Sequence, residues 1–226
     1  MTAVVPPGTA AGAAPQPTPL KGLARTAARR MVKAWEAPVF HLTVEVDMGA
    51  ALAAKGGGVT VTDLLVRACT VALKAHPAVN AHYHEEAVTL FDDVNIGIAV
   101  ATDAGLMVPV LHHADRLDLL GLAAARRDVV ERASAGALKM PDVTGGTFTV
   151  SNLGMLGVDE FDAILNVPQV AILAVGATLD VPVRMDGELE WRPKARLTLT
   201  CDHRALDGAT GARFLATLRQ ELETLA

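Results

Sequence analysis

Phe40, Leu42, Val44 and Val46 alternate with polar residues, the two-residue period of a half-buried strand. Just before them Leu23, Ala27, Met31 and Ala34 recur at three- and four-residue steps, which predicts a helix over 21–36. A second helix is predicted over 61–75, with Val61, Leu64, Leu65, Ala68, Val71 and Ala72 on its buried face. A hairpin is expected around His82–Leu90, then a strand with Val94, Ile96, Ile98 and Val100 on one side. Residues 116–137 read as a helix with Leu117, Leu120, Ala124 and Val129 or Val130 inward. Strands follow at 147–151, 170–175 and 196–202. A last helix begins near 209, with Leu215, Leu218, Leu222 and Leu225 on its stripe. No repeat period is visible. Helices interspersed among strands predict an α/β domain built on a mixed central sheet with flanking helices.

Composition narrows this picture without changing it. The first 20 residues hold five alanines and five prolines, and no charged side chain precedes Lys21. Such a stretch reads as a flexible linker over residues 1–18, leaving 19–226 as a single folded domain. No apolar run approaches 18 residues, which excludes a membrane-spanning helix. The N-terminus lacks a basic start followed by an apolar block, so no secretory signal is expected. A net charge of −5 and the lack of an extended basic stripe argue against a nucleic-acid partner. The one local exception is Lys21, Arg25, Arg29, Arg30 and Lys33 on the first helix, read as a solvated face. Cys69 and Cys201 sit inside apolar patterns and are expected to be buried thiols in a reducing cytoplasm.

The candidate chemistry is concentrated in Asp202-His-Arg-Ala-Leu-Asp-Gly208. An imidazole titrates near neutral pH and can take a proton from a nucleophile. The alternation over 196–202 places His203 where a strand ends, with Asp207 and Gly208 in the turn ahead of the last helix. Read without further context, His203 could equally be a hydrogen-bonded structural histidine and Asp207 a helix cap. In Thr147-Phe-Thr-Val-Ser151, Phe148 and Val150 would face the core, and Thr147, Thr149 and Ser151 would share the opposite polar face. The competing reading has Ser151 merely capping the turn at Asn152-Leu-Gly154.

The Asp-His-Arg-x-x-Asp-Gly run resembles the catalytic domain of the dihydrolipoamide acyltransferases, the cores of 2-oxo-acid dehydrogenase complexes. The resemblance extends over residues 18–225. Pro19-Leu-Lys-Gly22 with Arg25 and Arg29-Arg-Met31 looks like the family's opening helix. Asp92-Asp-Val-Asn-Ile-Gly-Ile-Ala-Val100 and Gly105-Leu-Met-Val-Pro-Val110 look like its central strand pair. Gly145-Gly-Thr-Phe-Thr-Val-Ser-Asn-Leu-Gly154 looks like its second active-site segment, and Asn166-Val-Pro-Gln-Val-Ala-Ile-Leu-Ala-Val-Gly176 resembles the strand after it. Two positions depart from the pattern: Val39 follows Pro38 where the family often has histidine, and Ala24 replaces the first of a basic pair.

The resemblance implies a chloramphenicol-acetyltransferase-like fold. It also implies acyl transfer from the sulfur of a lipoyl arm to the thiol of coenzyme A. His203 would be the general base and Ser151 the hydroxyl that stabilises the tetrahedral intermediate. Asp207 would hold the loop that carries His203, through an arginine pair. Coenzyme A is then a substrate, the lipoyl group is carried on another domain, and no metal is implied. Ser151-Asn-Leu-Gly-Met-Leu-Gly157 is most like the pyruvate-type and acetoin-type members, which favours acetyl transfer. Implied partners are a lipoyl domain and the 2-oxo-acid dehydrogenase and dihydrolipoamide dehydrogenase components. A homotrimer is the implied basic unit, with His203 and Ser151 of each site supplied by different chains. Many family cores join trimers into larger cages through an apolar C-terminal tail; here the last helix stops at Leu225-Ala226, and the expectation stays with the trimer. The alternatives are acetoin-type or branched-chain acyl specificity, a scaffold with little catalysis of its own, and a free-standing acetyltransferase of small hydroxyl compounds.

Other candidates are weaker. His82-x-His84 with Glu85 and Glu86 has a metal-like spacing but is read as a solvated hairpin turn. His112-His113 suggests a His-His-x-x-x-Asp-Gly motif, but Leu117 stands where the aspartate belongs. The surroundings of Ser151 are not a Gly-x-Ser-x-Gly elbow, so an attacking serine is not expected.

Overall fold

The computed structural model describes residues 16–103 and 105–225. The linker expected over 1–18 therefore lies almost wholly outside the described residues. In chain order the elements are α1 (Gly22–Trp35), β1 (Val39–Asp47), α2 (Gly49–Ala53), α3 (Val61–Ala75), β2 (Ala81–His84), β3 (Ala87–Leu90), β4 (Ile96–Ile98) and β5 (Val100–Thr102). There follow β6 (Gly105–Met107), β7 (Val110–Leu111), α4 (Leu119–Ser134), β8 (Phe148–Asn152), β9 (Ala171–Val175), β10 (Leu179–Met185), β11 (Glu188–Asp202) and α5 (Gly208–Glu223).

The main sheet has seven strands in the order β1-β11-β9-β8-β4-β7, with β10 pairing on the outer half of β11. β8 runs parallel to both β4 and β9, and the remaining pairs are antiparallel. The mixed sheet with flanking helices is thus as the periodicity predicts. Alternation along the strands separates two layers. Phe148, Val150, Leu173, Leu197, Leu199 and Cys201 point into the large core, which also contains α3 and α5. Ile172 and Ala174 point the other way, into a small second core closed by Ala163 and Leu165 of the segment between β8 and β9.

α3 is buried on most of its circumference because α4 and α5 pack along it. Its start is fixed by Asp63, whose carboxylate accepts the Thr60 N–H at 2.8 Å and the Arg126 Nε–H of α4 at 2.6 Å. Burial opposes that charge, but Arg126 and Thr60 outweigh it and hold the carboxyl below its usual range. α5 buries Leu215, Leu218 and Leu222 of the predicted stripe together with Phe214, while Leu225 lies beyond the helix end. A Cβ at Gly211 would lie 2.7 Å from Leu42 Cδ1, so a larger residue there would have to displace the Leu42 side chain between α5 and β1. Phe214 stacks against Phe148 with ring centroids 5.6 Å apart. Phe214→Ala is expected to lower stability by about 3–5 kcal/mol, measured by denaturant unfolding at fixed chain concentration. A loss under about 1 kcal/mol contradicts the packing described.

Three sequence expectations need correction. The inward stripe of α4 is Leu122, Ala123, Val129 and Ala133, whereas Leu120 is exposed. Asp118 caps this helix by accepting the Gly121 N–H at 2.7 Å, which sets a phase that the run of leucines and alanines left open. The single strand expected over Val94–Val100 divides into β4 and β5, because the chain leaves the sheet after Ala99 to form the β5–β6 hairpin. The β10–β11 hairpin lacks a buried face and so was not predicted. Its signal was the Asp186-Gly187 pair, where both residues have positive φ (49° and 91°), as a tight hairpin turn requires.

Candidate active site

His203 follows directly on the last residue of β11. Its N–H donates to the Pro38 carbonyl at 2.9 Å, and the N–H of Asp202 donates to Val170 at 2.9 Å, so the turn hangs on both neighbouring strands. The imidazole is exposed and rests on Phe40, ring centroids 4.6 Å apart. A rigid strand end thus presents a solvent-facing imidazole, as expected for a group that exchanges protons with substrate.

Asp207 is exposed and caps α5, accepting the Thr210 N–H at 2.7 Å. The Thr210 hydroxyl and N–H hold its carboxyl below the usual range. The arginine pair expected at Asp207 is instead at Asp202. That carboxylate is 1% exposed and takes both arms of Arg204, Nε–H on Oδ1 at 2.9 Å and Nη2–H on Oδ2 at 2.6 Å. Oδ1 also accepts the Arg204 backbone N–H at 3.1 Å. The guanidinium lies 4.1 Å above the centre of the Tyr83 ring.

Ser151 lies on β8, half-buried, on the same side of the strand as Thr149. Thr149 is fully buried, however, donating to Gln169 Oε1 at 2.6 Å and accepting from Asn166 Nδ2 at 3.2 Å. The polar face expected on β8 is therefore covered rather than open until Ser151. Asn152 closes the following turn by accepting the Gly154 N–H at 3.0 Å, so the Ser151 hydroxyl is not the turn's cap. Beyond it Met155 and Leu156 are exposed. This loop is pressed against the end of β9: a Cβ at Gly176 would lie 2.0 Å from the Asp159 carbonyl oxygen, and one at Gly154 2.5 Å from the Gly176 oxygen.

The sheet register separates the two groups. Ser151 stands beside Ala174, which pairs with Thr198 on β11, and His203 lies five residues further along that strand. Five strand rises and two strand spacings make about 20 Å, far beyond contact. One chain carries both halves of the candidate site at opposite ends of its sheet.

The remaining candidates are placed elsewhere. His82 is half-buried, 2.9 Å from the Gly146 carbonyl oxygen, rather than in a solvated turn, while His84 is exposed. His112 Nε2 lies 2.9 Å from the Pro141 oxygen and His113 sits 3.4 Å from Asp93. Among the described residues, three or more potential metal ligands nowhere come together. The basic residues of α1 are exposed, and so are Val32 and Trp35. Cys69 and Cys201 are buried and unpaired; burial raises both thiols, Cys201 to about 12, so neither is a ready nucleophile.

The family model of the 2-oxoacid dehydrogenases acyltransferase catalytic domain matches residues 13–226. The chain belongs to that family. The mitochondrial dihydrolipoyllysine-residue acetyltransferase component of the pyruvate dehydrogenase complex from Schizosaccharomyces pombe is 37% identical over 238 residues, which is 98% of this chain and 49% of that protein. The chain thus spans about half the length of that relative. A solved structure of dihydrolipoamide acetyltransferase from Azotobacter vinelandii, studied for the role of a serine, a histidine and an asparagine in its catalytic mechanism, superposes with a TM-score of 0.87. It is 33% identical, with 94% of this chain and 93% of that one covered. Chloramphenicol acetyltransferase, 15% identical with a TM-score of 0.55 over 86% of this chain and 94% of its own, shares the fold. The family and fold that the motifs imply are therefore those of this acyltransferase domain.

Proposed function

We propose that this domain transfers an acetyl group from a lipoyl sulfur to the thiol of coenzyme A, at sites shared between neighbouring chains of a homotrimer. The observation that carries the reading is a spacing. In the Azotobacter protein the named serine precedes the histidine by 52 positions and the asparagine follows it by four. Ser151 and His203 are also 52 apart, and Asp207 follows by four. The acidic residue at the third position is compatible with its role here, since an Asp and an Asn cap a helix equally well.

In this reading the His203 imidazole takes the proton of the coenzyme A thiol, whose sulfur attacks the thioester carbonyl carbon. The Ser151 hydroxyl donates to the oxygen as it becomes negative. When the intermediate collapses, the carbon–sulfur bond to the lipoyl arm breaks and the imidazolium returns the proton to that sulfur. The products are acetyl-coenzyme A and the dihydrolipoyl thiol, with no change in oxidation state. The separation of about 20 Å within one chain supports a site completed by a second copy. A lipoyl domain and the dehydrogenase components of a 2-oxo-acid dehydrogenase complex are the partners this chemistry calls for. A reducing cytoplasm suits the two free thiols.

Acyl exchange between acetyl-coenzyme A and dihydrolipoamide tests the activity, with small hydroxyl compounds as the competing acceptors. Faster turnover on a hydroxyl acceptor sinks the assignment. Co-assembling His203→Ala with Ser151→Ala chains tests the shared site. Random mixing of two inactive chains in a cyclic assembly leaves roughly a quarter of the sites with both groups intact. Activity is expected to return to about that fraction, and no recovery in mixed trimers places the site within one chain.

A further inference from the structure

Asp202 carries a heavier burden than its position beside a candidate base explains. A buried carboxylate is costly unless its charge is fully matched, and here one arginine does so with two parallel hydrogen bonds. That arginine is only two residues away, on the far side of His203. The same carboxylate oxygen accepts the Arg204 N–H, closing a tight turn with His203 at its apex. The residues before and after the imidazole are thus tied to each other. Tyr83 covers the outer face of the guanidinium, and its own N–H is anchored on the Pro168 carbonyl at 2.8 Å. The His203 N–H is fixed separately on Pro38. Between these anchors the backbone bearing the base has little freedom, and the ring keeps its seat on Phe40.

We propose that Asp202 and Arg204, braced by Tyr83, form a positioning clamp that holds the His203 imidazole in line with the incoming thiol, and that they act on turnover only through His203. The proposal rests on the reading of His203 as the base. Misplacing a reacting group by about 1 Å costs on the order of 100-fold in rate. Asp202→Asn keeps the volume and one acceptor but loses the charge pair. It is expected to lower kcat by about 30- to 100-fold, with KM for coenzyme A and dihydrolipoamide within about two-fold. Arg204→Lys keeps the charge but not the two-point geometry, and about a 10-fold fall in kcat is expected.

The deciding measurement repeats Asp202→Asn in the His203→Ala background, using assembled full-length chains checked by thermal melting. If the clamp works only through the imidazole, the residual rate there changes by less than about two-fold. The same fold-loss in both backgrounds overturns the proposal, as does a folded Asp202→Asn or Arg204→Lys chain with normal kcat. Should Asp202→Asn fail to fold, Arg204→Lys carries the same two-background comparison. Undiminished turnover in His203→Ala alone removes the base itself, and the clamp falls with it.

Discussion

His203→Ala is expected to lower acyl-transfer turnover by about 100- to 10,000-fold, the range of a lost general base. An alkyl thiol with a pKa near ~8.5 is only a few per cent ionised at neutral pH, so the reaction depends on a group that removes the proton as the sulfur attacks. The fold should survive. The imidazole is exposed, its main contact is the Phe40 ring, and the His203 N–H to Pro38 bond belongs to the backbone and remains. The loss should also depend on pH in a definite direction. Raising the pH toward the thiol's own pKa ionises the substrate without help, so the ratio of native to variant rate shrinks as pH rises. Steady-state exchange at several pH values, with circular dichroism on the same samples, checks both points. A folded variant within about five-fold of the native rate ends the assignment of His203 as base.

Ser151→Ala is expected to cost about 100- to 1,000-fold in kcat, or roughly 3–4 kcal/mol of transition-state stabilisation. The effect should fall on kcat rather than KM, because the oxygen becomes fully negative only after the thiol has attacked. Structural damage is not a competing explanation. Asn152 closes the turn beyond the strand, and Thr149 holds Gln169 and Asn166, so replacing Ser151 by alanine removes a hydroxyl with no part in either contact set. The same experiment separates two chemistries. If the serine were itself acylated, pre-steady-state mixing with acetyl-coenzyme A would give a burst of free thiol equal to the number of sites. With the thiol as nucleophile, the burst is absent in the native protein, and Ser151→Ala retains a slow, measurable rate.

Both effects concern candidate residues that stand out along the chain. A strand alternating over 196–202 with His203 next, and a second strand ending at Ser151, place two polar groups at strand ends by period alone. The leucine stripe of α5 was equally readable, because a helix packed on one side of a sheet must repeat its apolar positions every three or four residues, whereas α3, covered on most of its circumference, showed only part of its buried surface. Where several phases fitted, as in the Leu119–Ala125 run of α4, the pattern pointed to Leu120 and Ala124, whereas Leu122 and Ala123 are the buried pair. Where neither face of an element is buried, as in the β10–β11 hairpin, hydrophobic period carries no information, and only the Asp186-Gly187 turn marked it.

The sequence by itself determined the family, through its motifs, and the alternating layers, through local spacing. Which side chains are buried against one another, and how far apart the candidate groups stand, was decided only by the tertiary structure. The arginine pair belongs to Asp202, whose carboxylate is buried at the end of β11, while Asp207 is exposed and caps α5. Tyr83 joins that pair through a hairpin some 120 residues earlier in the chain. Above all, the register β8-β9-β11 sets Ser151 and His203 at opposite ends of one sheet. Strand pairing fixes that separation because each residue advances the chain by about 3.3 Å, and no spacing counted along the sequence contains it.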